Sequence, residues 1–448
     1  MGGGRDAVAV YGMGYVGKAL AAVLLRAGFR VVGVDVLKDR VRELNEGVVR
    51  HVEGEVREAI RKGLEEGAFE ATSDGVEASR ECAVKIIAVP VHLGAQGLPD
   101  FSSFLSAVEA AGRGAEPGDL VIVESSVPPG TTLGLVKPTL ERSSGLEVEE
   151  EVLLAYSPER VYVGRAVKDI EERYPKVVAG VGPRSAEAAR AFYARFARRG
   201  VIVMSSPTAA EFEKLAEGVY RDVNIALANE LAKLAAAMGI DYVEVREAAN
   251  SQPYCHLHMP GLGVGGYCIP VYPRFMLHAA AQLNLKLPLI ELARSVNLSM
   301  PGHVADLVDL VAGEMGLSRP KIAVLGLAFR GGIDDTRLSP TYDLVDHLLK
   351  RGYDQVNVHD PYVERDERLD SLGVPLTSSL ERALEGANIA VIATDHPQYF
   401  ELTPERLLEM AGSQKLGIVD GRLVIREWRK LPKGVYYVGV GRPLVKNP

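Results

Sequence analysis

Two series of short β-branched runs, each run followed by an amphipathic helical stretch, flank about thirty proline-free residues rich in Ala, Leu, Glu and Lys. A strand that reaches the next strand through a helix pairs with it in parallel, so each series implies a parallel sheet covered by crossover helices. The first series is Ala7 to Tyr11, Val31 to Val34, Lys85 to Val89, Leu120 to Val123, Val152 to Ala155 and Val201 to Val203. The second is Lys321 to Leu327, Gln355 to His359, Ile389 to Ala393 and Gly417 to Val419. In the middle, Thr208 to Met238 reads as one long helix closed by Gly239. A glycine- and proline-rich loop, Pro253 to Pro273, and a second helical stretch through Asn297 follow it. The expected class is α/β, two parallel-sheet domains joined by a helical middle, with no low-complexity segment or short repeat. Leu215, Val219, Val223, Leu227 and Leu231 recur every fourth residue along the long helix, a stripe expected to bury against another helix in a homodimer.

At 448 residues the chain exceeds what one core can hold, so two or three domains are expected. Its 51 basic and 59 acidic residues are interspersed and leave a net charge of −8. That pattern offers neither a nucleic-acid surface nor a polybasic membrane face, and small metabolites are the expected partners. Cys82, Cys255 and Cys268 are odd in number and lack framework spacing, which fits free thiols in a reducing cytoplasm. The apolar stretch Ala7 to Leu25 is broken by glycines and Lys18 and has no basic segment before it, so it reads as strand, turn and helix instead of a signal peptide. Asp6 stands where a myristoylation signal has Ser or Thr, and no run of about 20 apolar residues is present to span a bilayer.

Gly12-Met13-Gly14-Tyr15-Val16-Gly17 lies between a strand and a helix, the context in which this spacing seats a pyrophosphate on a helix N-terminus. Asp35 closes the next strand, eighteen residues after Gly17, where a carboxylate binds the adenosine ribose and repels a 2′-phosphate; the cofactor expected is NAD. Glu124 to Thr132 (Glu-Ser-Ser-Val-Pro-Pro-Gly-Thr-Thr) and Ser157-Pro158-Glu159-Arg160 each follow a strand, at the sheet edge where ligands bind. Lys214, near the start of the long helix, could stabilise a developing oxyanion if buried beside substrate. Each also has a plain structural reading, as a proline turn, an ion pair at a turn or a solvated lysine. Cys268 sits among Gly261, Gly263, Gly265 and Gly266, a thiol on a glycine-crowded loop, suited to hold a substrate covalently between redox steps. Cys255-His256-Leu257-His258 has no second ligand pair at metal spacing, so no metal is expected, and Cys82 reads as core.

These motifs stand in an order that resembles the UDP-glucose/GDP-mannose dehydrogenase family from about Val8 to Arg442, most like its UDP-N-acetylmannosamine branch. Arg221 to Glu230, Leu325 to Arg330, Asp335 to Pro340 and Thr394-Asp395-His396 add to the match. The resemblance implies a Rossmann domain for NAD over residues 1–204, a central helical dimerisation domain over 205–302 and a Rossmann-like UDP-sugar domain over 303–448. It implies Cys268 as nucleophile, Lys214 as oxyanion stabiliser, Glu159 as the carboxylate serving hydrolysis, and Ser126 in place of the family's threonine. Gly12, Gly14, Tyr15, Val16, Gly17, Asp35, Ser126 and Arg337 would meet NAD; Glu159, Arg160, Lys214, Gly265, Phe329 and Arg330 would meet the sugar nucleotide. The implied reaction is four-electron oxidation of a UDP-sugar at C6 to the uronic acid, for glycan precursor synthesis, with UDP-N-acetyl-D-mannosamine the expected substrate and UDP-glucose the alternative.

Four positions depart from the family pattern. Tyr272 replaces an aspartate four residues after the cysteine, and Gly218 an asparagine four residues after Lys214. Tyr267 replaces a frequent histidine, and Tyr254 an arginine that reaches substrate. A weakened protein that only binds UDP-sugar and NAD therefore stands as a second reading, and a two-electron reductase as a third.

Overall fold

The computed structural model describes residues 7–94 and 96–448; Met1–Asp6, on which the myristoylation reading rests, lie outside the described residues. The chain forms two compact units. One comprises the residues up to Glu217 with Arg274–Leu285, the other Gly218–Pro273 with Lys286–Pro448.

The first unit contains β1 (Ala7–Tyr11), β2 (Arg30–Val34), β3 (Phe69–Thr72), β4 (Val84–Ile87), β5 (His92–Leu93), β6 (Pro99–Asp100), β7 (Leu120–Val123), β8 (Leu153–Tyr156), β9 (Lys176–Gly180) and β10 (Val201–Val203). β5 and β6 form a small ribbon; the others form one sheet in the order β10-β9-β8-β7-β4-β1-β2-β3. Every residue of β1 is buried, which is why its sequence is apolar throughout instead of alternating. β1 pairs in parallel with β2 on one side and β4 on the other, Val8 lying opposite both Val31 and Val84. The chain direction of travel across the sheet reverses there, and the carboxyl ends of such strands frame a ligand crevice.

β3 and β9 are strands that the sequence pattern did not mark, one carrying a glutamate in four residues and the other opening on a lysine. β9 also departs from the parallel rule: it runs antiparallel to β8, with Ala155 opposite Gly180. The start of β9 therefore lies beside the carboxyl end of β8, which brings Lys176 to the functional edge.

The second unit contains β11 (Ile322–Leu325), β12 (Val356–His359), β13 (Leu376–Thr377), β14 (Ile389–Ile392), β15 (Leu416–Asp420), β16 (Val435–Gly439) and β17 (Arg442–Asn447). They form a sheet in the order β13-β12-β11-β14-β15-β16-β17, so the second series also reverses beside its first strand. Val324 and Val391 enter one apolar cluster while Ala323, Leu325 and Ile392 enter another, the two-residue period of strands buried on both faces. The antiparallel β16 and β17 extend the sheet beyond the strands read from the sequence.

The long helix is present as Pro207–Ala237, and Gly239 follows it with φ +76°. Leu215 of the apolar stripe is buried, whereas Leu227 and Leu231 are exposed and the face continues through Leu234 (58 % exposed) and Met238 (64 %). The loop expected through Pro273 ends earlier, because a helix, Cys268–Gln282, starts at the cysteine. Pro270 is tolerated there, since the first turn of a helix has no partner for a backbone N–H. The next helix, Pro288–Met315, continues beyond the expected end at Asn297, through Pro301.

A Cβ on Gly17 would overlap the carbonyl oxygen of Gly12, so the helix Tyr15–Arg26 packs this closely on the turn only with glycine there. Gly17→Ala should lower stability by about 1–3 kcal/mol in denaturant unfolding, and an unchanged midpoint would show that the turn relaxes freely.

Candidate active site

In the first unit the turn after β1 is shaped as a cradle. Gly12 has φ +94°, a conformation a side chain resists, and its Cβ would lie 2.9 Å from the Ala88 carbonyl oxygen. A Cβ on Gly14 would meet nothing within 4 Å. Gly14 is also the N-cap and supplies no side-chain cap, so the Val16 and Gly17 N–H groups, ahead of the first intrahelical bond from Lys18 to Gly14, remain available to an anion. Asp35, buried at the end of β2, accepts from the Met13 N–H (3.0 Å), the Leu37 N–H (3.0 Å) and the Arg40 guanidinium (2.8 Å). A carboxylate has about four acceptor positions, which leaves room for a ribose hydroxyl. The Tyr15 hydroxyl donates to Glu53 at 2.5 Å, and its ring stacks on His51. These residues fit NAD.

At the ends of β7 and β8 the same unit holds a buried polar cluster. Glu159 accepts from Lys176 at 2.5 Å, and Glu124 accepts from Lys176 at 3.1 Å and from the Tyr193 hydroxyl. Ser126 is half-buried on the adjoining loop, and Lys214 is buried in the long helix. Glu211, one turn before Lys214, accepts from the Gly130 N–H (2.6 Å) and the Thr132 N–H (2.7 Å) and so fastens the Pro128–Thr132 turn. Burial pushes its carboxyl up to about 7 against those hydrogen bonds. Arg160 stacks on Tyr174, donates to the Pro175 carbonyl and pairs with Glu217 at 3.4 Å, closing the loop that carries Glu159.

In the second unit Cys268 is exposed at the first position of its helix, the end at which backbone N–H groups have no intrahelical acceptor. Cys82 is buried and Cys255 half-buried. The glycines before Cys268 are required by the protein itself. A Cβ on Gly265 would lie 2.6 Å from the Leu338 carbonyl oxygen and 2.7 Å from Phe329, and one on Gly266 2.7 Å from the Phe329 ring. The Gly266 N–H donates to the Arg337 carbonyl (2.9 Å), while the Arg337 guanidinium is forked on Asp335 and lies 5.9 Å from the Tyr267 ring. Phe329 and Arg337 thus stand, with Arg330, on the one loop between β11 and the helix Pro340–Lys350, which braces the cysteine loop through Phe329, Arg337 and Leu338.

Two departures from the family pattern meet directly. The ring of Tyr272 lies on the helix face at Gly218, where a Cβ would fall within overlap distance of Tyr272 Cδ2 and 3.2 Å from its Cγ. An interior helical glycine costs about 1 kcal/mol relative to alanine, and here it is what admits the buried tyrosine.

Residues to which the sequence reading assigned no role complete a second cradle. Asp360, following β12, accepts from the Leu327 N–H (2.8 Å) and the Ala328 N–H (2.9 Å), repeating the grip of Asp35 on Met13. The Gly332 N–H donates to His396 Nδ1, so His396 Nε2 carries the hydrogen and donates to Asp360 at 3.0 Å. The Thr394 hydroxyl holds the Ala328 carbonyl at 2.7 Å. The available signal was an aspartate closing the second strand of each series. Among the described residues no group of three or more His, Cys, Asp or Glu is placed to hold a metal ion, and no helix is long and apolar enough to cross a membrane.

Two reversing, mainly parallel sheets, a dinucleotide cradle and an exposed helix-N-terminal thiol define an NAD-dependent oxidoreductase. The chain belongs to the UDP-glucose/GDP-mannose dehydrogenase family, whose NAD binding domain matches residues 6–197, central domain 208–299 and UDP binding domain 323–427. A UDP-N-acetyl-D-mannosamine dehydrogenase of Pyrococcus horikoshii is 36 % identical over 437 residues, 97 % of this chain and 99 % of that one. A solved structure of the UDP-D-ManNAc dehydrogenase from Pyrococcus horikoshii superposes with a TM-score of 0.88 at 35 % identity, covering 97 % of this chain and 99 % of that one. A UDP-glucose dehydrogenase structure from Pyrobaculum islandicum gives 0.85 at 30 % identity, covering 98 % of each chain.

Because the Tyr272 ring occupies the space beside residue 218, Gly218→Asn alone should destabilise the fold by about 1–3 kcal/mol, and adding Tyr272→Asp should recover part of that loss. Chemical denaturation of the four members of the cycle measures the coupling; strictly additive effects would mean that the two positions do not share this space.

Proposed function

We propose that the protein oxidises the C6 hydroxyl of a UDP-sugar to the carboxylate in two two-electron steps, with UDP-N-acetyl-D-mannosamine as substrate, for glycan precursor synthesis in the cytoplasm. The observation that carries the chemistry is Cys268, exposed at a helix N-terminus in a chain that also has the family's NAD and UDP binding domains. The choice of sugar is supported by the likeness to the Pyrococcus horikoshii relative.

NAD supplies the hydride acceptor for both oxidations, so each sugar yields two NADH. The alcohol becomes an aldehyde, and the Cys268 sulfur adds to C6 as a C–S bond forms and the carbonyl oxygen takes up a proton. Loss of the second hydride together with the hydroxyl proton leaves a thioester. Water then adds at C6, Glu159 takes its proton, the C–S bond breaks and the thiolate is released. Lys214 and Ser126 serve the oxygen that becomes negatively charged as the hydroxyl proton leaves ahead of hydride transfer and again as water adds in hydrolysis. Gly12, Gly14, Tyr15, Val16, Gly17, Asp35 and Arg337 bind the cofactor, while Arg160, Gly265, Phe329 and Arg330 frame the nucleotide sugar. The exposed face carrying Leu227, Leu231, Leu234 and Met238 supports a homodimer.

Two NADH per sugar, counted against a panel of UDP-sugars, is the expected stoichiometry. One would mean that oxidation stops at the aldehyde, and none would leave a binding protein. Cys268→Ser should bind substrate and lose nearly all acid formation; an unchanged rate would remove the thiol from the mechanism. Glycine and tyrosine at 218 and 272 supply neither an amide nor a carboxylate, so hydrolysis should limit turnover and a burst of NADH should precede the steady rate. On light scattering at micromolar concentration the chain should be a dimer, and Leu227→Glu with Leu234→Glu should make it a monomer.

A further inference from the structure

The mechanism uses Glu159 but leaves Glu124, Lys176 and Tyr193, all buried in the same unit, without a role. They meet because of the sheet: β7 and β8 run in parallel, Glu124 directly follows β7 and Glu159 stands three residues beyond β8, while antiparallel β9 starts there with Lys176. One ammonium serves two carboxylates, at 2.5 Å from Glu159 Oε1 and 3.1 Å from Glu124 Oε1, and lies 4.8 Å from the centre of the Tyr193 ring. The second oxygen of each carboxylate is buried without a hydrogen-bond partner. A cavity of about 10 Å³, the size of a single water, is lined by Glu159 and Lys176 together with Arg160 and Asp169.

We infer that Lys176 is a positioning residue for the hydrolytic step: it fixes one oxygen of Glu159 so that the other is presented to the attacking water, while Glu124 and Tyr193 hold the lysine in place. This rests on the reading of Glu159 as the carboxylate that takes the water's proton. An ammonium at 2.5 Å removes the rotational freedom of a carboxylate, and orientation of the base is what hydrolysis requires. Two carboxylates against one ammonium leave one negative charge uncompensated away from water. Burial accordingly pushes Glu124 up to about 7, Lys176 opposing the shift and Glu159 adding to it. The titratable groups that face Glu124 are Lys176 on β9, Glu159 beyond β8, Tyr193 on the helix Pro183–Tyr193 and Tyr156 in β8.

The test uses the full chain, NAD and the UDP-sugar that the unmutated protein oxidises. Lys176→Met should keep the first-turnover NADH burst and the KM but lower steady acid formation about a hundredfold, and Lys176→Arg should recover most of it. An unmutated protein that forms no acid from any UDP-sugar overturns the hydrolytic reading and this inference together. If it forms acid, then a methionine variant equally fast, or an arginine variant no faster than methionine, overturns the inference alone. Should the methionine variant not fold, Glu124→Gln decides. The pH profile of acid formation should have an inflection near 7 that the glutamine abolishes, and an inflection missing at the outset or unchanged in the variant overturns the inference.

Discussion

A carboxylate at the end of the second strand of each sheet grips the backbone of the turn that follows the first strand, and the nucleotide-binding geometry of each unit depends on that grip. The turn must stay open to a ligand, so its N–H groups cannot all be satisfied by regular structure. A buried aspartate, which itself needs donors, supplies what the turn lacks. Asp35 holds Met13 in this way, and Asp360 holds Leu327 and Ala328. The backbone is then fixed before a ligand arrives, which lowers the ordering cost of binding. The two cradles differ in what remains. Asp35 also faces Arg40 and retains acceptor capacity, whereas Asp360 is further engaged by His396 and by the Tyr362 and Val363 N–H groups.

Strands buried on both faces were legible because their apolar runs have no other use: β1, β7 and β14 fall within a residue of where the runs stand. β3, β9 and β17 were not, because their residues are held by pairing with a neighbouring strand, which local pattern does not encode. The helix starting at Cys268 was hidden by Pro270 and Pro273, which mark a loop in a sequence; Pro270 falls in the first turn, where no N–H is needed, and Pro273 lies inside the helix.

The site divides along the same line. Gly12, Gly14, Gly17 and Asp35 stand out because glycine and aspartate at those spacings have one common explanation. Lys176 does not, since a lysine opening a short strand is ordinarily a solvated edge residue. Only the antiparallel turn of β9 makes it the sole cation within hydrogen-bond reach of two buried carboxylates among the described residues. Gly265 and Gly266 were legible as glycine crowding beside the thiol, and the groups that come close to them are Phe329 and Leu338 of one loop of the protein itself.

Gly218 and Tyr272 are separate losses in the sequence and a single replacement in the structure. An asparagine at 218 would project from the helix face that the Tyr272 ring now covers, so the missing amide and the added ring are two views of one packing choice. Such a pair cannot be changed one residue at a time without a clash or a void, which places an energetic barrier between this arrangement and the family's usual one. Whatever water activation the chain retains must then come from groups that do not share that space. Glu159, with one oxygen secured by Lys176 and the other buried without a hydrogen-bond partner, lies outside that space, which is why the proposed hydrolytic step is assigned to it.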